Sequence, residues 1–297
     1  MASLTKLAVA WYNLWLLIGT FTVWVVSVLS LAPFKVYGPN AQRRVAGVVL
    51  KFCRLCWRWP FTLSPWIRVR VHGLQHQHEM GRSGKPVLII GNHTSFMDTL
   101  VFATHISFGV ISRVRTLAKS SLWQLPLLGT LMNSVGHIPV HFHKQSADND
   151  FKTDETQKQA LLDRVDEHVG RDGGWICMFP EGQIHRGDGS AGSAKLQPFR
   201  IGGMGLALQY DMELWAWTAK GNNDCWPRTG IGGLPSTITA SLVPIAPRGS
   251  RELMREIDPS CSSTFAADEI KLMLPKLVTH AQQFMQAELD KLYERDK

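Results

Sequence analysis

"PVLIIGNHTSFMDTL", Pro86 to Leu100, is the stretch on which the reading of this chain turns. Val87 to Ile90 form a short continuous apolar run that reads as a buried strand. Gly91 and Asn92 end it, and His93 follows at once. Thr94 and Ser95 are good capping residues for a helix that would carry Asp98. In open α/β sheets ligands gather at the carboxyl ends of the strands, so His93 stands where chemistry is expected.

Working outward, the same alternation of strand and helix repeats. "IRVRVHG" from Ile67 alternates like a strand, and "RVRTLAK", "SVGHIPV" and "WICMF" read as further strands. A polar stretch, 144 to 158, leads into a helix over about Thr156 to Val169, broken by Asp172-Gly173-Gly174. "IGGMGLALQY" is a short glycine-bearing helix, "ELWAWTA" and "STITASLVPI" are strands, and the tail from Ala266 is helical with an interruption at Pro275. This pattern predicts an α/β fold with a largely parallel sheet flanked by helices.

The first 64 residues differ. Residues 7 to 34 carry no charge, and as a helix they would extend about 42 Å, more than the ~30 Å hydrocarbon core of a bilayer. The chain has a net charge of +8, yet between Lys35 and Lys85 ten Lys and Arg stand against the single Glu79. In "RRVAGVVLKFCRLCWRW" the basic residues Arg44, Lys51, Arg54 and Arg58 share one helical face, with Val45, Val48, Val49, Phe52, Leu55, Cys56 and Trp59 on the other. That is an amphipathic helix suited to a phospholipid surface. The expected organisation is therefore membrane-anchoring helices over 1–64, as an N-terminal membrane-associated segment, and one domain over 65–297. Basic residues following the apolar helix place that domain on the cytosolic side. Five cysteines without paired spacing give neither a zinc site nor a disulfide framework. The basic, aromatic-interleaved segment beside an apolar helix favours lipid headgroups over nucleic acid.

His-x4-Asp alone is weak, since His143 and Asp148 repeat the spacing in a polar loop. Geometry adds a condition. Five helical residues turn through about 500°, leaving two side chains ~140° apart, so His93 must precede the helix for Asp98 to reach back to its ring. A carboxylate on one imidazole nitrogen fixes the tautomer and raises the basicity of the other, which makes a general base for a hydroxyl.

A second element, "MFPEGQIHR", puts Pro180-Glu181-Gly182 at the end of another buried strand. Asn92 to Asp98, Gly136 to Val140, Phe179 to Gly182 and Pro198 to Gly205 stand in the order of four family motifs. With them the chain resembles the glycerolipid acyltransferase superfamily over roughly residues 70 to 245, most closely the 1-acylglycerol-3-phosphate acyltransferases. The resemblance implies acyl transfer from acyl-CoA to the free hydroxyl of a lysophospholipid at a phospholipid membrane, in the endoplasmic reticulum, with no metal or other cofactor. It implies His93 as base, Asp98 as its orienting partner and Glu181 near the acceptor; backbone donors around Gly182 would stabilise the oxyanion.

The likeness has departures. Gln183 and Ile184 stand where many members have Thr-Arg, and His141 stands where an Arg commonly ends the middle motif. Lys119, Arg186 and Arg200 are the candidates left to neutralise a substrate phosphate. "AKGNNDCWP", Ala219 to Pro227, loosely resembles the tafazzin-type transacylases, which move acyl groups between phospholipids without CoA. A metal site drawn from His76, His78, His137, His141 and His143 lacks convincing ligand spacing. A catalytically inactive lipid-binding protein is the remaining alternative, and it has no use for an intact His93, Asp98 and Glu181.

Overall fold

The structure is a computed structural model and describes residues 2–31, 39–142, 154–184, 195–261 and 264–295. Its helices are α1 (Ala2–Leu31), α2 (Pro39–Thr62), α3 (Met97–His105), α4 (Phe108–Arg113), α5 (Leu128–Ser134), α6 (Lys158–Val165), α7 (Ile201–Gln209), α8 (Asn222–Cys225), α9 (Ser250–Ile257) and α10 (Ala267–Glu294). Its strands are β1 (Ile67–His72), β2 (Val87–Gly91), β3 (Val114–Lys119), β4 (Ile138–Val140), β5 (Trp175–Met178), β6 (Glu213–Lys220) and β7 (Ser236–Ala246).

The strands form a 7-stranded sheet in the order β1-β7-β6-β2-β5-β3-β4. Every pairing is parallel except β6 with β7. β2 therefore lies in the middle, and the carboxyl ends of β6, β2, β5, β3 and β4 share one rim. The apolar run of β2 explains why it is central. Val87 and Ile89 point into one core while Leu88 and Ile90 point into a second on the opposite face, and all four are at 0 % exposure. Each such side chain contributes about 2 kcal/mol by leaving water. The first core takes residues from α1 to α5 and the second from α6, α7, α9 and α10. The result is the expected α/β fold, a mostly parallel sheet flanked by helices.

The N-terminal helices share the first core. Tyr12, Val23, Val49, Leu50, Cys53, Cys56 and Phe61 pack there with residues of the sheet. α1 is long and apolar enough, over Ser3–Ser30, to cross a membrane. Only part of it is used for packing: Leu4, Leu7, Trp11, Leu14, Ile18 and Phe21, at helical spacing, remain exposed.

Two expectations are corrected here. The faces of α2 are not divided as the sequence suggested: its buried row is Ala46, Val49, Leu50, Cys53 and Cys56, while Val48 and Leu55 are exposed beside Lys51 and Arg58. The reason is that α2 is packed by α1 on one side and by α3 and α4 on the other. The basic stripe is also partly spent within the protein. Arg54 Nε donates to Ile106 O and its guanidinium lies 4.2 Å from the Phe108 ring centroid, and Arg58 donates to Thr104 O. Both cap the carbonyl end of α3, where cations are favoured. The second correction is the tail, which runs as one helix through Pro275. Losing one backbone hydrogen bond and straining a turn costs about 3 kcal/mol. Burial of Leu277, Val278, Ala281, Met285, Leu289 and Leu292 on the same helix outweighs it.

Candidate active site

The site begins where β2 stops. Asn92 imitates a backbone: its Nδ2 donates to Ala219 O and its Oδ1 accepts from Ala219 N, both at 2.8 Å. The β2–β6 ladder is thereby prolonged past Gly91, and the chain leaves it at His93. The sequence reading assigned Asn92 no role, although its place directly before the histidine was the signal.

The helix α3 starts at Met97, so His93 lies in the turn before it. His93 Nδ1 and Asp98 Oδ2 are 3.0 Å apart. Oδ2 also accepts the backbone amides of Thr94 at 2.6 Å and Ser95 at 2.8 Å. Oδ1 accepts Thr94 Oγ1 at 3.2 Å and the Nδ2 of Asn222, from α8. Ser95 Oγ in turn accepts from Met97 N, so side chain and backbone satisfy each other around the helix start. Five donors around one buried carboxyl group suit an acceptor-only carboxylate. The Nδ1 of His93 is then the protonated nitrogen, and Nε2 keeps its lone pair. Asp98 is at 0 % side-chain exposure and His93 at 18 %, so the ring is reachable and its partner is not. The imidazole is held flat against Phe179, with centroids 4.3 Å apart and planes at 17°.

Phe179 leads from β5 into the second element. Glu181 is buried, and each of its oxygens receives a backbone amide: Oε1 from His93 at 2.7 Å, Oε2 from Gln197 at 3.0 Å. Burial pushes its carboxyl group up to about 7, although both amides and the nearby His93 pull it back. Segment 195–200 is pinned from behind by α10, where Gln286 accepts from Leu196 N and Gln282 from Phe199 N.

The other expected residues are placed as follows. Gly182 has φ +70, and a Cβ there would come within 2.5 Å of the Arg200 side chain. Its N–H donates to Phe179 O at 3.0 Å. The turn itself uses this amide, so the oxyanion donors expected around Gly182 would have to be other backbone N–H groups. Arg200 precedes α7, with its backbone N on Pro180 O and its Nε 3.3 Å from Glu181 O. Lys119 ends β3 on the same rim, exposed and two strands from His93, opposite Val140 in register. Arg186, and the decoy pair His143 and Asp148, lie outside the described residues. Among the described residues no three His, Cys, Asp or Glu side chains gather as a metal site. His137 Nδ1 accepts from Thr116 N instead, and His76 sits beside Glu79.

A family model described as Acyltransferase matches residues 68–219, from the start of β1 to the end of β6, just over half of the chain. The chain belongs to the acyltransferase family. The matched region contains Asn92, His93, Asp98, Glu181 and Arg200, and ends at Ala219, short of Asn222. The acyltransferase also shares its fold with the crystal structure of PlsC, the 1-acyl-sn-glycerophosphate (LPA) acyltransferase from Thermotoga maritima. The two superpose with a TM-score of 0.57 over 99% of this chain and 98% of that one, at 15% sequence identity. At that identity the likeness is one of fold, and it extends through the N-terminal helices. Among curated proteins none matches the chain.

Proposed function

We propose that this acyltransferase moves a fatty acyl group from acyl-CoA to the free hydroxyl of a lysophospholipid, with lysophosphatidate as acceptor and phosphatidate as product. The observation that carries the reading is the reachable imidazole of His93 with Nδ1 committed to the buried Asp98. His93 Nε2 takes the proton of the acceptor hydroxyl as its oxygen attacks the thioester carbonyl. The tetrahedral intermediate collapses with loss of the C–S bond, and the departing CoA sulfur receives the proton from His93. Neither a covalent enzyme intermediate nor a metal is called for. Asp98 keeps the ring oriented and stabilises the imidazolium. Lys119 and Arg200, with Arg186, are the cations proposed for the acceptor phosphate.

The exposed apolar side of α1 supports action at a membrane, where both acyl chains reside. In this reading residues 1–64 anchor the protein, residues 65–297 carry the chemistry, and the site faces the cytosol, at the endoplasmic reticulum. The name of the PlsC neighbour favours lysophosphatidate as acceptor.

The test is a transfer assay in mixed micelles with labelled donors: acyl-CoA, an acyl carrier protein thioester and a diacyl phospholipid. Each is offered with lysophosphatidate and then with other lysophospholipids. Phosphatidate formed from acyl-CoA is the expected result. Transfer from the carrier-protein thioester alone would correct the donor. Transfer from a phospholipid without CoA would select transacylation, the chemistry that the Gly221-Asn222-Asn223-Asp224 likeness suggests.

A further inference from the structure

We infer that Asn222 is a positioning residue for the reaction, acting through Asp98, and that the loop carrying it is built to hold that carboxylate from the side opposite the histidine. The inference rests on the acyl-transfer reading above.

β6 ends at Lys220 and the chain turns at Gly221, which has φ +81. A Cβ there would lie 2.2 Å from Thr237 O, so only glycine makes this turn. The turn brings Asn222 back over Asp98, 124 residues away, and Nδ2 donates to Oδ1. The residue is at 0 % exposure, and its own Oδ1 is buried without a hydrogen-bond partner. A side chain present only to fill space would not carry an unsatisfied oxygen into the core. The amide is there for its donor.

The loop is anchored independently of that donor. Trp226 O accepts Ser95 Oγ at 2.6 Å and Trp226 N donates to Asn222 O at 2.9 Å. Further along, Gly232 O accepts Asn13 Nδ2 at 2.7 Å from α1, and Gly233 O accepts Trp66 Nε1 at 3.0 Å. Asp98 is thus gripped from two directions. His93 and two amides hold Oδ2, and Asn222 with Thr94 holds Oδ1. The carboxylate plane cannot rotate, and the imidazole has one place to lie. Asn222 also draws charge from Asp98, which tempers how strongly that carboxylate holds an imidazolium.

The experiment compares Asn222→Ala and the isosteric Asn222→Asp with wild type and with Asn223→Ala as the neighbouring control. Transfer kinetics are taken across pH, and the His93 ring is titrated by NMR. Asn222→Ala is expected to lower kcat roughly 10- to 100-fold with little change in KM, the scale of a misplaced catalytic group. Its His93 midpoint and the acid limb of its profile should both move to higher pH. Asn222→Asp should move them further, because a second carboxylate then faces the dyad. Asn223→Ala should match wild type. The inference is overturned if both Asn222 variants keep the wild-type midpoint, whatever their activity. It also fails if activity falls equally at every pH, as a merely structural role would require. Should no donor be used by the wild type, the acyl-transfer reading fails, and the NMR midpoints still decide the contact between Asn222 and Asp98.

Discussion

Glu181 reaches across 88 residues of chain to accept the backbone amide of His93 at 2.7 Å. The end of β5 is thereby latched to the end of β2, and the same carboxyl group takes Gln197 N from the segment before α7. Glu181 holds His93 by its main chain, while Asp98 holds it by its ring.

Glu181→Ala leaves two amides in that latch without acceptors. An unmatched buried group costs about 1–3 kcal/mol, so a lower thermal midpoint is expected together with a fall in kcat. Glu181→Gln keeps one acceptor and should lie between Ala and wild type in both. Calorimetry beside the transfer assay checks this, and wild-type behaviour of Glu181→Ala would remove the latch from the account.

His93→Ala should abolish transfer while folding is retained, because the ring stacks on Phe179 at a partly open surface. Asp98→Asn should cost about 10²–10⁴ in kcat, the range of a general base whose tautomer is lost. His143→Ala, in the sequence decoy, should be near normal. Equal losses from His93→Ala and His143→Ala would break the assignment.

The pH dependence of stability follows from three histidines away from the dyad. Burial lowers His137 to about 3, and His168 and His105 to about 4. The unfolded chain therefore binds more protons than the folded one between about pH 4 and 6.5. Their contribution is complete above 6.5 and is lost progressively as pH falls through that window. Glu181 acts in the opposite sense. Raised to about 7, it is held protonated in the folded state above its unfolded value of 4.5, so its share declines as pH rises from there. Three histidines outweigh one glutamate, and the net expectation is a lower urea midpoint at pH 5 than at pH 7.5. An unchanged or higher midpoint at pH 5 would contradict it.

Arg54 and Lys51 should separate folding from membrane attraction. Arg54 caps α3 and lies over Phe108, so Arg54→Met should reduce stability by about 1 kcal/mol. Lys51 is exposed, and Lys51→Ala should weaken binding to anionic vesicles, by about 1 kcal/mol near the surface, with no change in melting. Denaturation and vesicle flotation measure the two effects. A stability loss in Lys51→Ala, or none in Arg54→Met, would reverse the assignment.

How far these features were legible depends on their range along the chain. The strand nature of Val87 to Ile90 and the five-residue return from Asp98 to His93 are local, and periodicity and helical angle were enough to read them. Pro275 misled because a local cost of breaking a helix was weighed without the buried stripe that follows it. The faces of α2 misled in the same way: a one-helix pattern does not say how many neighbours will pack on it. Asn92 and Asn222 carry neutral side chains without a periodic signature. Their roles exist only because β6 pairs with β2 and sends its loop back over α3.

The sequence by itself determined the alternation of strands and helices, the apolar N-terminal helix, and a histidine at a strand end with an aspartate within reach. Each of these depends on interactions between residues a few positions apart. Tertiary structure alone decided which donors close around Asp98, that Glu181 holds the His93 amide, and which arginines are spent on α3. Hydrogen bonds between residues 88 and 124 positions apart are selected by sheet order and burial. A buried polar group must find whatever partner the packing brings to it.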